Sequence, residues 1–370
     1  MKIKKLIAMS TVAGVALAGI ALSSASAEPV SNSYVLVGSD TLQDSTNALI
    51  NGTSASGSFV RVTSNLTSLG NFDAFGSAAI QTKSNGPFFG RPSGSGAGVT
   101  ALRASITGNA YSAGGTNTTP AKVITGQVDI ARSSSGPGTN ANANGQLLYV
   151  PYARDAVAYA YKGGTAAWAT LTPAQLKQIF DGTLTTVDGV AIKPRLPQTG
   201  SGTRNFFLNA LGYTGSTPTA PAVSDTNNAT AENDASVLAA GEIIPFSVAS
   251  WIAQSNGVTG VSTIGTTGVL IGSPIASTVP FTGTGTALVP NKAYYDNTTF
   301  GRDTYLVVEY SRVATNGAKY DANLAALVDV DGDASLTSFG VIASSPGAVK
   351  KKFGFLAPST STAQRAWATL

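Results

Sequence analysis

The chain has 370 residues, no cysteine and no histidine, and Asp, Glu, Lys and Arg together make up 11% of it, well under the usual quarter. Without histidine there is no Ser-His-Asp triad, no histidine general base and no histidine metal ligand. Without cysteine there is no disulfide and no lipid-modified cysteine anchor, so a fold of this length must rest on its core.

Residues 1–27 read as a secretory signal. Lys2, Lys4 and Lys5 form the basic start, Leu6 to Leu22 is mostly apolar, and Ala25-Ser26-Ala27 is a small-x-small cleavage site. The mature chain is therefore expected to begin at Glu28. Setting the three lysines aside takes the formal charge from +4 to near zero, and nothing marks a nucleic-acid surface. No later run is long and apolar enough to predict a membrane span.

Tyr34 to Val37 predicts a short buried strand. Gly38-Ser39-Asp40-Thr41 breaks it, and Leu42 to Ile50 predicts a helix. Residues 51–90 are a polar, glycine-rich excursion. Ser93-Gly94-Ser95-Gly96-Ala97-Gly98 reads as a small-residue loop feeding a helix over Val99 to Ile106. Val128 to Ala131 predicts a strand that ends in Arg132-Ser133-Ser134-Ser135, and Leu147 to Tyr161 a long extended stretch around Asp155. Thr172 to Phe180 predicts a short helix, with Thr172 as cap, Pro173 at the first helical position and Gly182 as terminator. A further helix is expected after Gly200-Ser201-Gly202-Thr203-Arg204, strands over Glu242 to Ser247 and Thr304 to Tyr310, and a late helix around Leu324 to Leu327. Strand and helix alternate, so the class is α/β. The stretches 108–120, 214–232 and 259–290 read as surface loops or insertions. Lys350-Lys351-Lys352 reads as a solvated basic face. Asp329-Val330-Asp331-Gly332-Asp333 has the spacing of the first calcium-loop ligands. Ala334 and Gly340 stand where such a loop needs Gly and Glu, so it reads as an acidic turn.

Four features place Ser, Thr, Gly or Arg at a strand end or helix start: Gly38–Thr41, Ser93–Gly98, Arg132–Ser135 and Arg195–Arg204. A small-residue loop meeting a helix N-terminus presents N–H groups, hydroxyls and the positive end of a dipole, which together suit an anion. An arginine adds a planar fork of donors.

With Leu171 to Gly182, Asp155-Ala156-Val157-Ala158 and Arg195 followed by Ser201-Gly202-Thr203-Arg204, the chain resembles the periplasmic phosphate-binding proteins, the solute receptors of phosphate ABC importers. The resemblance implies a two-domain type II periplasmic-binding fold, with two crossing hinge strands near Tyr152–Tyr159 and Arg302–Val308 and a ligand cleft between the domains. Domain one would be 28–156 plus 304–370, and domain two 157–303. The family's contacts fall on Thr41, Ser95, Arg195, Ser201, Gly202 and Thr203; Ser39, Asp40, Arg132, Ser133, Ser134 and Arg204 are further candidates. It also implies no catalysis and no cofactor, phosphate or a similar oxyanion as ligand, an ABC permease with its ATPase as partners, and a monomer in the periplasm or at the cell wall.

The chain departs from the family at Ser134, where an aspartate often accepts the proton of hydrogen phosphate. Either Asp40 takes over that role, or the site has lost its acceptor and takes another oxyanion. Asp40 also suits a plain helix cap, and Asp155 reads as a buttress of the hinge strand. Two other readings compete with the receptor. One is an exported structural or adhesive protein that keeps the fold without transport. The other is a secreted hydrolase, which the absent His and Cys disfavour.

Overall fold

The computed structural model describes residues 34–65, 67–213, 218, 230–265 and 268–370. The signal-peptide reading of 1–27 and most of the 214–232 stretch lie outside these residues. Among the described residues no helix is long and apolar enough to cross a membrane.

One nine-stranded mixed sheet organises the molecule. Its strands are β1 (Tyr34–Gly38), β2 (Leu69–Asn71), β3 (Ile130–Ser133), β4 (Leu147–Lys162), β5 (Lys193–Pro194), β6 (Glu242–Ser247), β7 (Val269–Gly272), β8 (Gly301–Glu309) and β9 (Gln364–Ala366). They run in the order β5-β6-β4-β8-β3-β1-β2, with β7 and β9 also paired to β4. The helices that bear on the site are α1 (Gln43–Asn51), α2 (Ser95–Thr107), α3 (Pro173–Phe180), α4 (Gly202–Ala210) and α5 (Val248–Ser255).

β4 joins two halves. Its first ten residues, Leu147 to Ala156, pair antiparallel with β8. Its last six, Val157 to Lys162, pair with β6, and β7 lies on the other side of Tyr159 to Lys162. The β4–β8 ladder shifts register at Thr304/Tyr305, opposite Pro151 to Ala153. Pro151 has no N–H to give to a ladder, and a bulge is where a sheet tolerates proline.

Each half packs apolar side chains on both faces of its part of the sheet. In the first half Leu36, Ile130, Leu306 and Val308 point to one side. Val35, Val37, Ala131 and Val307 point to the other. Period-two alternation thus divides continuous apolar runs between two cores, as strands covered on both faces require. In the second half Tyr159, Tyr161 and Ile243 pack with Trp168, Phe180 and Phe207 of the helical layer, and Ala158, Ala160 and Ile244 pack with Trp251 and Tyr294 opposite.

Helix α3 starts as its sequence predicts. Thr172 accepts from the Gln175 N–H while the Gln175 side chain accepts from the Thr172 N–H, a capping box followed by proline. Four expectations need correction. Helix α2 begins at Ser95, so Ser95 to Gly98 form its first turn rather than a loop; Gly94, at φ +94°, makes the entry a left-handed step. The strand at 128–131 lies at Ile130–Ser133. The 259–290 stretch is not all surface loop, since its Val269–Gly272 segment is β7 of the main sheet. Lys350 is fully buried rather than solvated. Its Nζ donates to the Tyr152 and Ser338 carbonyls at 2.9 Å each and lies 4.1 Å from the Tyr152 ring centroid; burial holds its pKa well below the usual lysine range. Lys351 and Lys352 are exposed.

Candidate anion site

The ends of β1 and β3 and the starts of α2 and α4 meet where the two halves touch. The Ser95 hydroxyl accepts from the Ser134 N–H at 3.0 Å and lies 3.0 Å from the Ser134 hydroxyl. Thr41 and Thr203 hydroxyls stand 3.5 Å apart. Ser39, Thr41, Ser95, Ser134, Ser201 and Thr203 are all buried. The halves abut closely here. The Gly96 N–H donates to the Gly200 carbonyl at 3.3 Å, and Gln198 Nε2 donates to the Ser93 carbonyl at 2.8 Å. A Cβ on Gly202 would overlap the hydroxyls of both Ser95 and Ser134 and lie 3.1 Å from the Ser95 Cβ. Only glycine at the first position of α4 lets these hydroxyls come so near.

Helix α4 aims its N-terminus into this junction. Ser201 is its cap and accepts from the Arg204 N–H at 3.0 Å. The Thr203 N–H, unpaired within the helix by its position, donates at 2.9 Å to Oε1 of Glu232. The same oxygen lies 3.5 Å from the Ser134 hydroxyl. Glu232 is 2% exposed, and no N–H or hydroxyl among the described residues reaches its Oε2. The group beside it that can supply a proton is Asp40. Burial, then the charge of Glu232, then a hydrogen bond shared with it push the Asp40 carboxyl well above the ordinary range, against the lowering effect of Arg132. Asn233 steadies the pair: its Nδ2 donates to Asp40 Oδ1 at 3.1 Å and to the Thr41 hydroxyl at 3.2 Å.

Arg302, at the start of β8, is the cation at this junction. Nε and Nη2 donate to Asp155 Oδ2 at 3.1 and 2.8 Å, and Nη2 also donates to the Thr203 hydroxyl at 2.9 Å. Arg302 is 4% exposed, and its Nη1 has no acceptor among the described residues. Asp155 is its cross-strand neighbour in the β4–β8 ladder. The other Asp155 oxygen accepts from the Ser247 hydroxyl and the Ala249 N–H, at the start of α5. Asp155 is thus the buttress its position on β4 suggested.

The other candidate arginines are engaged elsewhere. Arg195 closes a two-point pair with Glu242, at 3.1 and 3.0 Å. Arg132 is fully buried and gives its donors to the carbonyls of Leu36, Gly38, Ser39 and Phe72 and to the Asn71 side chain. It ties the ends of β1 and β3 to β2; burial lowers its pKa to about 10, against the raising charges of Asp73, Asp40 and Asp44. Arg204 donates to the Pro197 carbonyl at 2.9 Å. The Ser133 hydroxyl donates to the Ser135 carbonyl within its own turn, and that of Ser39 accepts from the Thr41 N–H. Thr41, Ser95, Ser134, Gly202 and Thr203 therefore converge, with Ser201 shaping the helix end.

Sequence reasoning missed Arg302, Glu232 and Asn233. Arg302 was legible in principle, as a lone base opening one crossing strand opposite Asp155 on the other. Glu232 closes the 214–232 stretch read as surface loop and Asn233 follows it, and no spacing marks them.

A model of the PBP superfamily domain matches residues 90–328. The chain belongs to the PBP superfamily. Its mixed α/β architecture is that of the type II periplasmic-binding proteins, a family of binding proteins rather than enzymes. No curated protein matches the chain in sequence. Solved structures similar to this PBP-superfamily chain include an ABC-type phosphate transport receptor from Vibrio cholerae, at 14% identity over 88% of this chain and 100% of the other, with a TM-score of 0.47. Another is PstS from Borrelia burgdorferi, at 15% identity over 88% and 99%, with a TM-score of 0.41. A phosphate-binding protein from Stenotrophomonas maltophilia matches at 16% identity over 64% and 78%, with a TM-score of 0.37.

Proposed function

We propose that this chain is an exported solute-binding protein that captures phosphate, or a similar tetrahedral oxyanion, between two domains and presents it to an ABC permease with its ATPase. The domains are 28–156 with 304–370, and 157–303; residues 1–27 direct export and are removed. The observation that carries the reading is the Thr203 N–H at the start of α4, which already holds an oxyanion, the Glu232 carboxylate. Thr41, Ser95 and Ser134 bring hydroxyls to the same place, and the Arg302 guanidinium bonds the same threonine. Donors prearranged in a buried site bind an anion more strongly than the same groups in water. Here the donors come from both domains, so an anion would favour the closed form. Asp40, once it has given up the proton it shares with Glu232, serves as acceptor for the proton of hydrogen phosphate, which sulfate lacks.

A second reading, an exported structural or adhesive protein that keeps the fold without transport, draws support from Glu232 itself, since a protein that lies on its own anion site need not take up an anion. Calorimetric titration of the mature chain, stripped of bound anion, with phosphate and then sulfate across pH separates the two. Phosphate binding with sulfate rejected is the expected result; silence with every oxyanion would leave the scaffold reading standing.

A further inference from the structure

Glu232 is a poor match for the place it fills. A carboxylate has two oxygens. One takes the Thr203 N–H and approaches the Ser134 hydroxyl; the other is buried, no N–H or hydroxyl among the described residues reaches it, and the proton shared with Asp40 is what can satisfy it. At the same junction Arg302, bonded to Thr203 through Nη2, keeps a buried Nη1 without an acceptor among the described residues. A buried donor left without an acceptor is costly, and native structures hold few. The seat therefore offers more than a planar two-oxygen group can use. A tetrahedral anion has four oxygens to distribute.

Glu232 also stands at a boundary. A cavity of about 780 Å³ opens beside it, lined in part by Asp40, Thr41, Asp44, Asp73, Glu232 and Asp234. Ser95, Ser134 and Thr203 do not line it, so the carboxylate lies between the cavity and the donors. A displaced Glu232 side chain has room there, but the carboxyls of Asp40, Asp44, Asp73 and Asp234 on the wall oppose its charge, so it returns to the seat when no anion holds it.

We propose that Glu232 is a tethered stand-in for the ligand: its carboxylate holds the oxyanion seat when no anion is bound and must leave for the adjoining cavity when one arrives. This rests on reading the cleft as an oxyanion site. The tether makes Glu232 a competitor present at high effective concentration. Apparent affinity is the intrinsic affinity reduced by the fraction of molecules whose seat is free. If the carboxylate fills the seat in about 90 to 99 molecules of a hundred, the seat is free in about one in ten to one in a hundred, and removing the carboxylate tightens binding by about tenfold to a hundredfold.

The test is calorimetric titration with inorganic phosphate of the anion-stripped mature chain, as wild type, Glu232→Gln and Glu232→Ala, each checked by thermal melting. Gln keeps the shape and loses the charge; Ala removes the group. Kd is expected to fall about ten- to a hundredfold in Glu232→Ala and to move the same way in Glu232→Gln. Binding by wild type that is equal or weaker in both folded variants would overturn the stand-in and make Glu232 a ligand contact or a bystander. No binding of phosphate, arsenate or sulfate by any of the three would overturn the oxyanion reading, and the inference with it.

Discussion

Gly202→Ala tests whether the two halves must meet for an anion to be held. The new Cβ would overlap the hydroxyls of Ser95 and Ser134, which belong to the first half, while Gly202 belongs to the second. Each hydroxyl can turn about its Cα–Cβ bond, at the loss of its place in the junction, but the Ser95 Cβ, only 3.1 Å away, is fixed by the start of α2. The substitution therefore keeps the halves apart. Helix α4 is not harmed, since alanine is the better helix former by up to about 1 kcal/mol. An anion bound to α4 alone loses two hydroxyl donors, and hydrogen bonds to charged groups contribute about 1.5–3 kcal/mol each. A loss of about 3 kcal/mol or more is a Kd at least about a hundredfold weaker. Gly96→Ala is the control, because its Cβ would meet only the Gly200 carbonyl, at an ordinary 3.8 Å. Calorimetry with phosphate and a thermal melt of both variants read the result: Gly202→Ala should melt near wild type and bind weakly, and Gly96→Ala should be indistinguishable from wild type. Wild-type affinity in folded Gly202→Ala would refute the closed junction as the binding form.

Arg302→Ala strands the Asp155 carboxylate in the core and should cost about 3 kcal/mol in urea unfolding, with much less further loss in the Asp155→Asn background. Arg195→Ala should leave anion affinity within about twofold, because its fork is closed on Glu242; a tenfold loss would place Arg195 at the ligand after all. Asp44, pushed up to about 6 by burial first and then by Asp73, against the lowering effect of Arg132, binds its proton more tightly in the folded chain than in the unfolded one. Its contribution is thus complete below pH 4 and is lost as pH rises through 6, by at most about 3 kcal/mol and less for a partly exposed group. Asp44→Asn should flatten that part of the pH profile, as denaturant midpoints at pH 5 and pH 8 would report.

Where the chain's own pattern was strong, the fold was legible. The apolar run at Tyr34, the long stretch through Asp155, the Glu242 to Ser247 strand and the Thr172-Pro173 start all have local causes, in alternation, β-branching and capping. Legibility failed where distant partners decide. Ser95 to Gly98 have poor helix propensity, yet they open α2 against the end of β1, whose Gly38 backbone they crowd. Lys350 sits in a charge run that reads as solvent-facing, and only carbonyls and an aromatic ring remote in sequence make its burial tenable. The hydroxyls of the site were visible as small-residue loops at helix starts. Order along the chain pointed to Arg195 and Arg132 and passed over Arg302, the arginine that bonds Thr203, because the three differ in what surrounds them rather than in local sequence. Glu232 carries no local signal, and its meaning lies wholly in the N–H it accepts.

The order of strands in the first half has a consequence for how the chain acquires its shape during synthesis. β8 lies between β3 and β4, although more than a hundred residues separate it from either in sequence. A ribosome delivering the chain from its N-terminus releases β3 and β4 with an open slot between them, and then all of 163–300 before the strand that fills it. The second half can assemble as a continuous piece during that interval, while the first half waits with two unpaired strand edges. Such long-range closure is slow. The emerging polypeptide therefore stays incompletely folded until residues 301–309 arrive, which keeps it in a threadable state and dependent on whatever shields exposed strand edges in the meantime.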